Sequence, residues 1–295
     1  MGTVSKITGT LATAISKVSG VAISGLSNII GQTISLFSYS DSAYVLDFDG
    51  TDDYVDCGND SSMRNTTART IACWVRRDNW NDNIGNPGQS LLGNFRYSNG
   101  MHLRWKSKRI QGFAYIEGTQ RIVQTGYAKF HNSSKPYWRS SGWSMVALAF
   151  DGQYLKLYVN GALDNSSGTP TIDLGSTGNE LDEGSSIYFN IGRQPETPVG
   201  GAGAAYFDGQ LDECAVWNTA LDADDIAQLW NDPGDTNTIK PQNLREDKGN
   251  YDKSSNLKGW WRFEEGSGTS VADSSGTGNT GTVTNSPTYS TDTPD

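Results

Sequence analysis

The sequence predicts an all-β protein, two antiparallel sheets packed face to face, preceded by an N-terminal arm of short repeats. Composition is the first indication. With 34 Gly, 11% aromatic and only 19% charged residues, the chain is rich in turns and strands and too poor in charge for a long-helix or coiled-coil protein. The second is that from Tyr44 onward short runs alternate with period two between clusters of Gly, Asn and Asp. The third is a repeat of different character before Tyr44. A chain of 295 residues accommodates one large sandwich plus such an appendage.

Residues 5–37 divide without gaps into SKITGTLATAI, SKVSGVAISGL and SNIIGQTISLF. Ser5, Ser16 and Ser27 open the units, Gly9, Gly20 and Gly31 punctuate them, and Ile15, Leu26 and Phe37 close them. An 11-residue period is compatible with a right-handed helical supercoil. One Gly per unit and many β-branched residues favour strand and turn instead. Units this short cannot shelter Ile7, Ile15, Val18, Ile23, Leu26, Ile29, Ile34 and Phe37 within themselves. Residues 1–40 are therefore expected to be an assembly arm, docking on a larger particle and on other copies of the chain, with a homotrimer the preferred guess. The competing reading, a disordered tail, leaves the regular apolar placement unexplained.

The sandwich follows element by element. YVLDFDGTDDYVDCG puts Val45, Asp47 and Asp49 on one side of a strand and Leu46 and Phe48 on the other, turns at Asp49-Gly50 and resumes at Tyr54-Val55. TIACWVRRD reads as a central strand with a core Trp74. GWSMVALAFDGQYLKLYVNGALD reads as two or three strands, joined at Asp151-Gly152 and closed at Asn160-Gly161, dipeptides suited to hairpin turns. FDGQLDECAVWNTALDADDIAQLWN ends a strand at Trp217-Asn218 and begins a short helix with apolar Leu221, Ile226 and Leu229, capped by Asp222. A polar linker at 232–254 then precedes a last strand-like stretch at 255–295.

Four segments in this order and spacing resemble the laminin G-like and pentraxin-like jelly rolls of the concanavalin A-like lectin/glucanase superfamily. They are FDGTDDYV at 48–55, TIACWVRRD at 70–78, the run from Trp143 to Gly152 with LYVNG at 157–161, and FDGQLDECAVWNTAL at 207–221. The C-terminal LKGWWRFEEGSGTSVADSSGTGNTGTV, with Trp261, Phe263, Gly266, Gly268, Asp273, Ser275 and Gly281, resembles the segment that precedes the FDG strand in that family. Its displaced position implies strands that return to the same sandwich, as in a circular permutation. A truncated second domain is disfavoured, since roughly 40 residues cannot form a core. The expected division is an arm at 1–40, the laminin G-like sandwich at 41–231, a linker at 232–254 and completing strands at 255–295.

The resemblance also implies calcium held at a sandwich rim by hard oxygen donors, and the matching positions are Asp49 and Asp212. The alternative for both is hydrogen bonding to turn amides. Glucanases of the superfamily need carboxylates facing one groove. Here Glu180 and Asp182 share a face, but Gly184 and Ser185 stand where the third carboxylate belongs, so no catalytic residue is assigned and the protein is expected not to be an enzyme. His102 and His131 lack nearby triad partners, and two His with dispersed Cys57, Cys73 and Cys214 make no zinc signature. Aromatics of the variable region, Trp80, Tyr97, Trp105, Tyr137 and Trp138, are the candidates for stacking on a glycan.

A net charge of -10 argues against nucleic acid. No signal peptide or membrane span is read at the N-terminus, so the sequons at Asn65, Asn132 and Asn165 are taken as chance and no membrane insertion is expected. The leading expectation is a non-enzymatic virion structural protein, a bacteriophage capsid fibre, decoration or tail component. It would be made in the host cytoplasm and reside on the virion surface, with other virion proteins held by the arm and cell-surface glycans by a lectin-like head. The phage assignment rests on analogy. A secreted bacterial carbohydrate-binding adhesin is the alternative, and a glycoside hydrolase ranks last.

Overall fold

Long apolar runs and alternating ones sort into different places in a sheet. Strands buried on both faces read as continuous hydrophobic stretches, whereas edge strands keep polar residues. The computed structural model describes residues 42–77, 88–96, 98–126, 142–164, 168–184, 187–194, 205–230 and 240–294. The arm, with its eight proposed assembly residues, lies outside the described residues.

In chain order the strands are β1 (Val45–Asp49), β2 (Tyr54–Asp56), β3 (Arg69–Arg76), β4 (Gln89–Gly93), β5 (Met101–Lys106), β6 (Arg109–Ile116), β7 (Thr119–Gln124), β8 (Ser144–Phe150), β9 (Tyr154–Val159), β10 (Ala162–Leu163), β11 (Thr171–Asp173), β12 (Asn190–Ile191), β13 (Arg193–Gln194), β14 (Ala205–Tyr206) and β15 (Asp208–Trp217). Helix α1 (Ala223–Trp230) follows, and then β16 (Leu257–Trp261), β17 (Ser270–Val271), β18 (Gly281–Thr284) and β19 (Thr288–Ser290). One sheet runs β10-β9-β8-β3-β15-β1-β19, with β11 also on β9 and β16 also on β15; the other runs β17-β18-β2-β12-β4-β5-β6-β7. Every strand pair in both is antiparallel. The fold is the two-sheet jelly-roll sandwich that the sequence predicts.

Between the sheets pack Leu46, Phe48, Val75, Leu92, Leu103, Trp105, Leu148, Phe150, Leu211 and Trp261. The approach is close at Gly112 of β6, where an added Cβ would lie 2.4 Å from Leu148 Cδ1. Any larger residue there would force the sheets apart.

β3 and β8 are buried throughout, apart from Arg76, because the outer face of their sheet is also covered. Trp74 points outward, not into the core as expected, and stacks on Trp230 of α1 at 5.0 Å between centroids. Asp222 caps α1 by accepting from the Asp224 and Asp225 amides at 2.8 and 2.9 Å, and Asp225 accepts from the Asp222 amide at 3.0 Å. On the same face Trp217 Nε1 donates to Tyr251 Oη at 2.9 Å, and Tyr251 Oη donates to Leu244 O at 2.8 Å. No helix among the described residues is long and apolar enough to cross a membrane.

The C-terminal strands enter both sheets. β16 pairs with β15, β19 with β1, and β18 with β2. Trp261 stacks on Phe189 in the core at 5.4 Å, while Trp260, next to it in an alternating strand, faces the other way.

Candidate calcium and glycan rim

β1 ends in a carboxylate-rich turn. Gly50 takes φ +74°, and a Cβ there would come within 2.8 Å of Asp208 Cβ, so the tight turn beside β15 requires glycine. Thr51 N donates to Asp49 Oδ1 at 2.7 Å, Asp49 N donates to Asp53 Oδ2 at 3.2 Å, and Asn285 Nδ2 donates to Asp52 O at 2.9 Å. This folding brings one carboxylate oxygen each of Asp49, Asp52 and Asp53 within 4.8 Å of one another, the first two exposed and the third buried. Burial pushes the Asp53 carboxyl above the usual carboxylate range, the Asp49 amide opposes that, and the charges of Asp49, Asp52 and Asp47 add to the rise.

Three crowded anionic oxygens at an exposed turn are a hard donor set of the kind Ca²⁺ prefers, and a cation there would relieve their repulsion. Alongside, the Arg193 guanidinium lies 4.0 Å from the centroid of the half-buried Tyr54 ring. Across β1 and β15, Asp208 faces Asp49, and Arg77 Nε donates to Asp208 O at 2.9 Å.

The sequence candidates fare differently. Asp49 lies at this rim, but Asp212 does not. Asp212 is opposite Trp74 on β15, fully buried, and accepts from Ser42 Oγ at 2.7 Å and from the Glu213 amide at 2.8 Å. Asp49 faces Asp208, four positions along the same strand, and at about 3.3 Å per residue the two carboxylates cannot share an ion. Trp105 is also corrected: it is fully buried between the sheets, beside the Arg77 guanidinium, and out of reach of a sugar. Trp80, Tyr97, Tyr137 and Trp138 lie outside the described residues. Asp52, Asp53, Tyr54 and Arg193 were not singled out from sequence. The first two could have been, since D-x-x-D-D around a Gly turn places three carboxylates within one loop.

A second polar surface lies on the outer face of the other sheet. Arg104 Nε donates to Gln111 Oε1 at 3.0 Å and Gln111 Nε2 donates to Gln124 Oε1 at 2.9 Å, a ladder across β5, β6 and β7. Arg104 lies 3.8 Å from the Phe113 centroid, and His102 stacks parallel to Phe113 at 5.3 Å. Among the described residues neither nitrogen of the buried His102 ring has a hydrogen-bond partner. Burial, and then the Arg104 charge, hold its pKa well below the ordinary histidine value.

Two of the three carboxylates at 180–183 are engaged structurally. Glu183 pairs with the buried Arg69 at 2.6 Å and accepts from Asn94 Nδ2 at 2.9 Å, and Asp182 accepts from the Gly118 amide at 2.8 Å. A cavity of about 20 Å³ between the first sheet and its outer layer, lined by Trp74, Met145, Trp217, Leu229 and Leu244 among others, holds one water at most.

Two antiparallel sheets packed face to face define a jelly-roll sandwich. A laminin G-type family model, described as Concanavalin A-like lectin/glucanases superfamily, matches residues 49–227, more than half of the chain, and the chain belongs to that family. Among solved structures, a Bacteroides ovatus protein provisionally named a carbohydrate binding protein is similar, with a TM-score of 0.54, 16% identity, and coverage of 85% of this chain and 60% of its own. The chain thus spans 60% of the length of that protein, and an identity so low speaks for the fold alone. The heptameric SAP-like pentraxin of Limulus polyphemus aligns with a TM-score of 0.45 and 14% identity over 70% of this chain and 88% of its own. Domains LG4-5 of the mouse laminin alpha1 chain align with a TM-score of 0.40 and 11% identity over 61% of this chain and 44% of theirs. No curated protein sequence matches.

Proposed function

We propose that the sandwich is a non-enzymatic, glycan-binding module whose rim carboxylates Asp49, Asp52 and Asp53 hold a calcium ion. The observation that carries this reading is the convergence of those three oxygens within 4.8 Å at an exposed turn. When bound, calcium supplies a hard Lewis-acidic centre for sugar hydroxyls. The chain's own residues would do the rest: Asp53 is fixed by the Asp49 amide, and Tyr54, next along the chain, carries a half-buried ring with the Arg193 guanidinium against it. A non-catalytic role is supported by the engagement of Glu183 with Arg69 and of Asp182 with the Gly118 amide. The test is a glycan array probed with the intact protein in calcium and in chelator. Calcium-dependent binding that is lost in Asp49→Asn supports the proposal, whereas binding unaffected by both overturns the rim assignment.

The finer reading sets this head on a virion, as a bacteriophage fibre, decoration or tail component anchored through residues 1–40, and its support is the threefold 11-residue repeat. A secreted adhesin would share the head and differ in what the arm attaches to. Deleting residues 1–40 and scoring incorporation into particles separates the two, since a virion component loses its place and keeps its glycan binding.

A further inference from the structure

Strands β16 and β1 lie end to end on the same side of β15. Trp261 is opposite Cys214, and Leu46 is opposite Leu211. On its other side β15 runs against β3 and bulges: Asp212 faces Trp74, but it is Ala215 that faces Ala72. Two residues of β15, Glu213 and Cys214, therefore stand opposite one residue of β3, Cys73.

Alternation decides which of the two meets Cys73. Along β3 the residues that enter the core between the sheets are Ile71, Cys73 and Val75, and along β15 they are Leu211, Cys214 and Val216. Glu213 is the extra residue, with φ +49°, and its carboxylate accepts from Arg262 Nε at 3.0 Å and from Trp260 Nε1, away from that core. Further contacts pin the bulge on the outer side. Ser42 Oγ donates to Asp212 Oδ2 at 2.7 Å, the Ala43 amide donates to Glu264 Oε2 at 3.0 Å, and Arg262 Nη2 lies 3.6 Å from Glu264 Oε1. Cys214 is left aimed inward beside Cys73, and the two side chains are hydrogen-bonded to each other.

All three cysteines are free thiols, and Cys73 and Cys214 are 1% and 0% exposed. Facing residues of adjacent antiparallel strands have Cα atoms about 4.5–5.5 Å apart, inside the roughly 4.4–6.8 Å that a disulfide spans. Cys57 is placed differently. It follows β2 in the facing sheet, where its amide donates to Phe189 O at 2.9 Å. Facing sheets pack about 10 Å apart, beyond the roughly 7 Å at which a bridge can form without backbone movement.

We propose that Cys73 and Cys214 form a cross-strand disulfide when the chain folds in the presence of a small disulfide oxidant, and remain paired thiols when it folds in a reducing compartment. With glutathione disulfide as oxidant, one cysteine thiolate attacks its S–S bond, forming a mixed disulfide and expelling one glutathione thiolate. The second cysteine thiolate attacks the protein sulfur of that mixed disulfide, so the Cys73–Cys214 bond forms as the second glutathione leaves. Two protein thiols are oxidised, and their two electrons and two protons end on two glutathione thiols. Closure belongs to folding and not to the finished sandwich. Once the sheets meet, burial first and the Cys73 contact second push the Cys214 thiol well above its ordinary value, so the attacking thiolate is scarce and the oxidant is shut out. A chain made and kept in cytoplasm would retain the thiols and an exported one would carry the bridge. The inference rests neither on glycan binding nor on calcium.

The test is refolding of the full, reduced chain in glutathione disulfide, followed by alkylation in denaturant and peptide mass mapping. The parent should keep one alkylatable thiol, at Cys57, and yield a linked Cys73–Cys214 peptide. Cys214→Ser should keep two thiols and form no internal link. The oxidised parent should melt roughly 4–16 °C above the reduced one. Folded, reduced protein placed in the same buffer should close the bridge roughly tenfold or more slowly than refolding protein does. Three alkylatable thiols in the refolded parent, a link to Cys57, or glutathione adducts in place of the internal link overturn the proposal. So does an oxidised form that melts at or below the reduced one, and equal rates before and after folding overturn the assignment of closure to folding. Should Cys214→Ser not fold, the linked peptide of the parent decides alone.

Discussion

Calcium-free protein should be stabilised by removing one rim charge, while calcium-loaded protein should be weakened by the same change. Asp53→Asn is the informative substitution, because Asn retains an oxygen to accept from the Asp49 amide, now at 3.2 Å, and loses only the charge. The rim oxygens lie within 4.8 Å of one another, and two of the three carboxylates face solvent. Each repulsion at a water-like dielectric is therefore about 1 kcal/mol, and Asp53→Asn removes two of them. A gain of about 1–2 kcal/mol in chelator follows, with roughly 2–4 °C in melting temperature for each kcal/mol in a domain of this size. With calcium at a hundredfold over its dissociation constant the parent gains about 2.7 kcal/mol by mass action, and most of this disappears in Asp53→Asn. Differential scanning calorimetry in chelator and across a calcium titration reads both effects. No calcium-dependent shift in the parent would refute the metal assignment. A lower melting temperature for Asp53→Asn in chelator would refute the repulsion on which the reasoning depends.

Two further outcomes can be measured on the same instrument or by denaturant titration. Trp105→Ala should cost roughly 3–5 kcal/mol by leaving a cavity between the sheets; an unchanged melting temperature combined with lost glycan binding would return Trp105 to the surface. His102→Phe should be at least as stable as the parent at pH 7, because it removes two unpartnered buried nitrogens between Phe95 and Phe113. The depressed pKa of His102 means that the unfolded chain takes up its proton first, so stability is lost as pH falls below the ordinary value of 6.5. Urea titrations at pH 7 and pH 5 should show a smaller loss in His102→Phe, and an identical loss would place the acid sensitivity elsewhere.

The sandwich was legible because its turns declare themselves locally. Asp151-Gly152 and Asn160-Gly161 close hairpins in which Gly152, Asn160 and Gly161 take positive φ, the conformation that makes those residue types informative. Which way a tryptophan points was less legible. Trp74 sits in a strand buried on both faces, where alternation cannot separate core from outer layer. Trp105 is a different case. In M-H-L-R-W-K it alternates with Met101 and Leu103, all three fully buried, while His102 and Arg104 take the other face. Period two therefore marked it as core, and the choice of Trp105 as a sugar platform rested on residue type alone.

The same contrast separates the two acidic clusters. Asp49, Asp52 and Asp53 lie within five positions of one another, so a tight turn suffices to bring them together and the motif carries the information. Asp212 and Glu213 read as one more acidic step in an apolar strand, and what gives them meaning is 222 positions of separation between Ser42 and Glu264. Only when β16 abuts β1 along β15 does the strand row acquire a break, and only a break lets carboxylates from β15 meet the segments on either side of it. A strand continuous across that point would have carried its own backbone past the bulge and left Asp212 without Ser42 and Glu213 without Arg262 to bind. The C-terminal segment thus does more than complete the sheets, because its return to β15 creates the junction at which Ser42 and Ala43 are held.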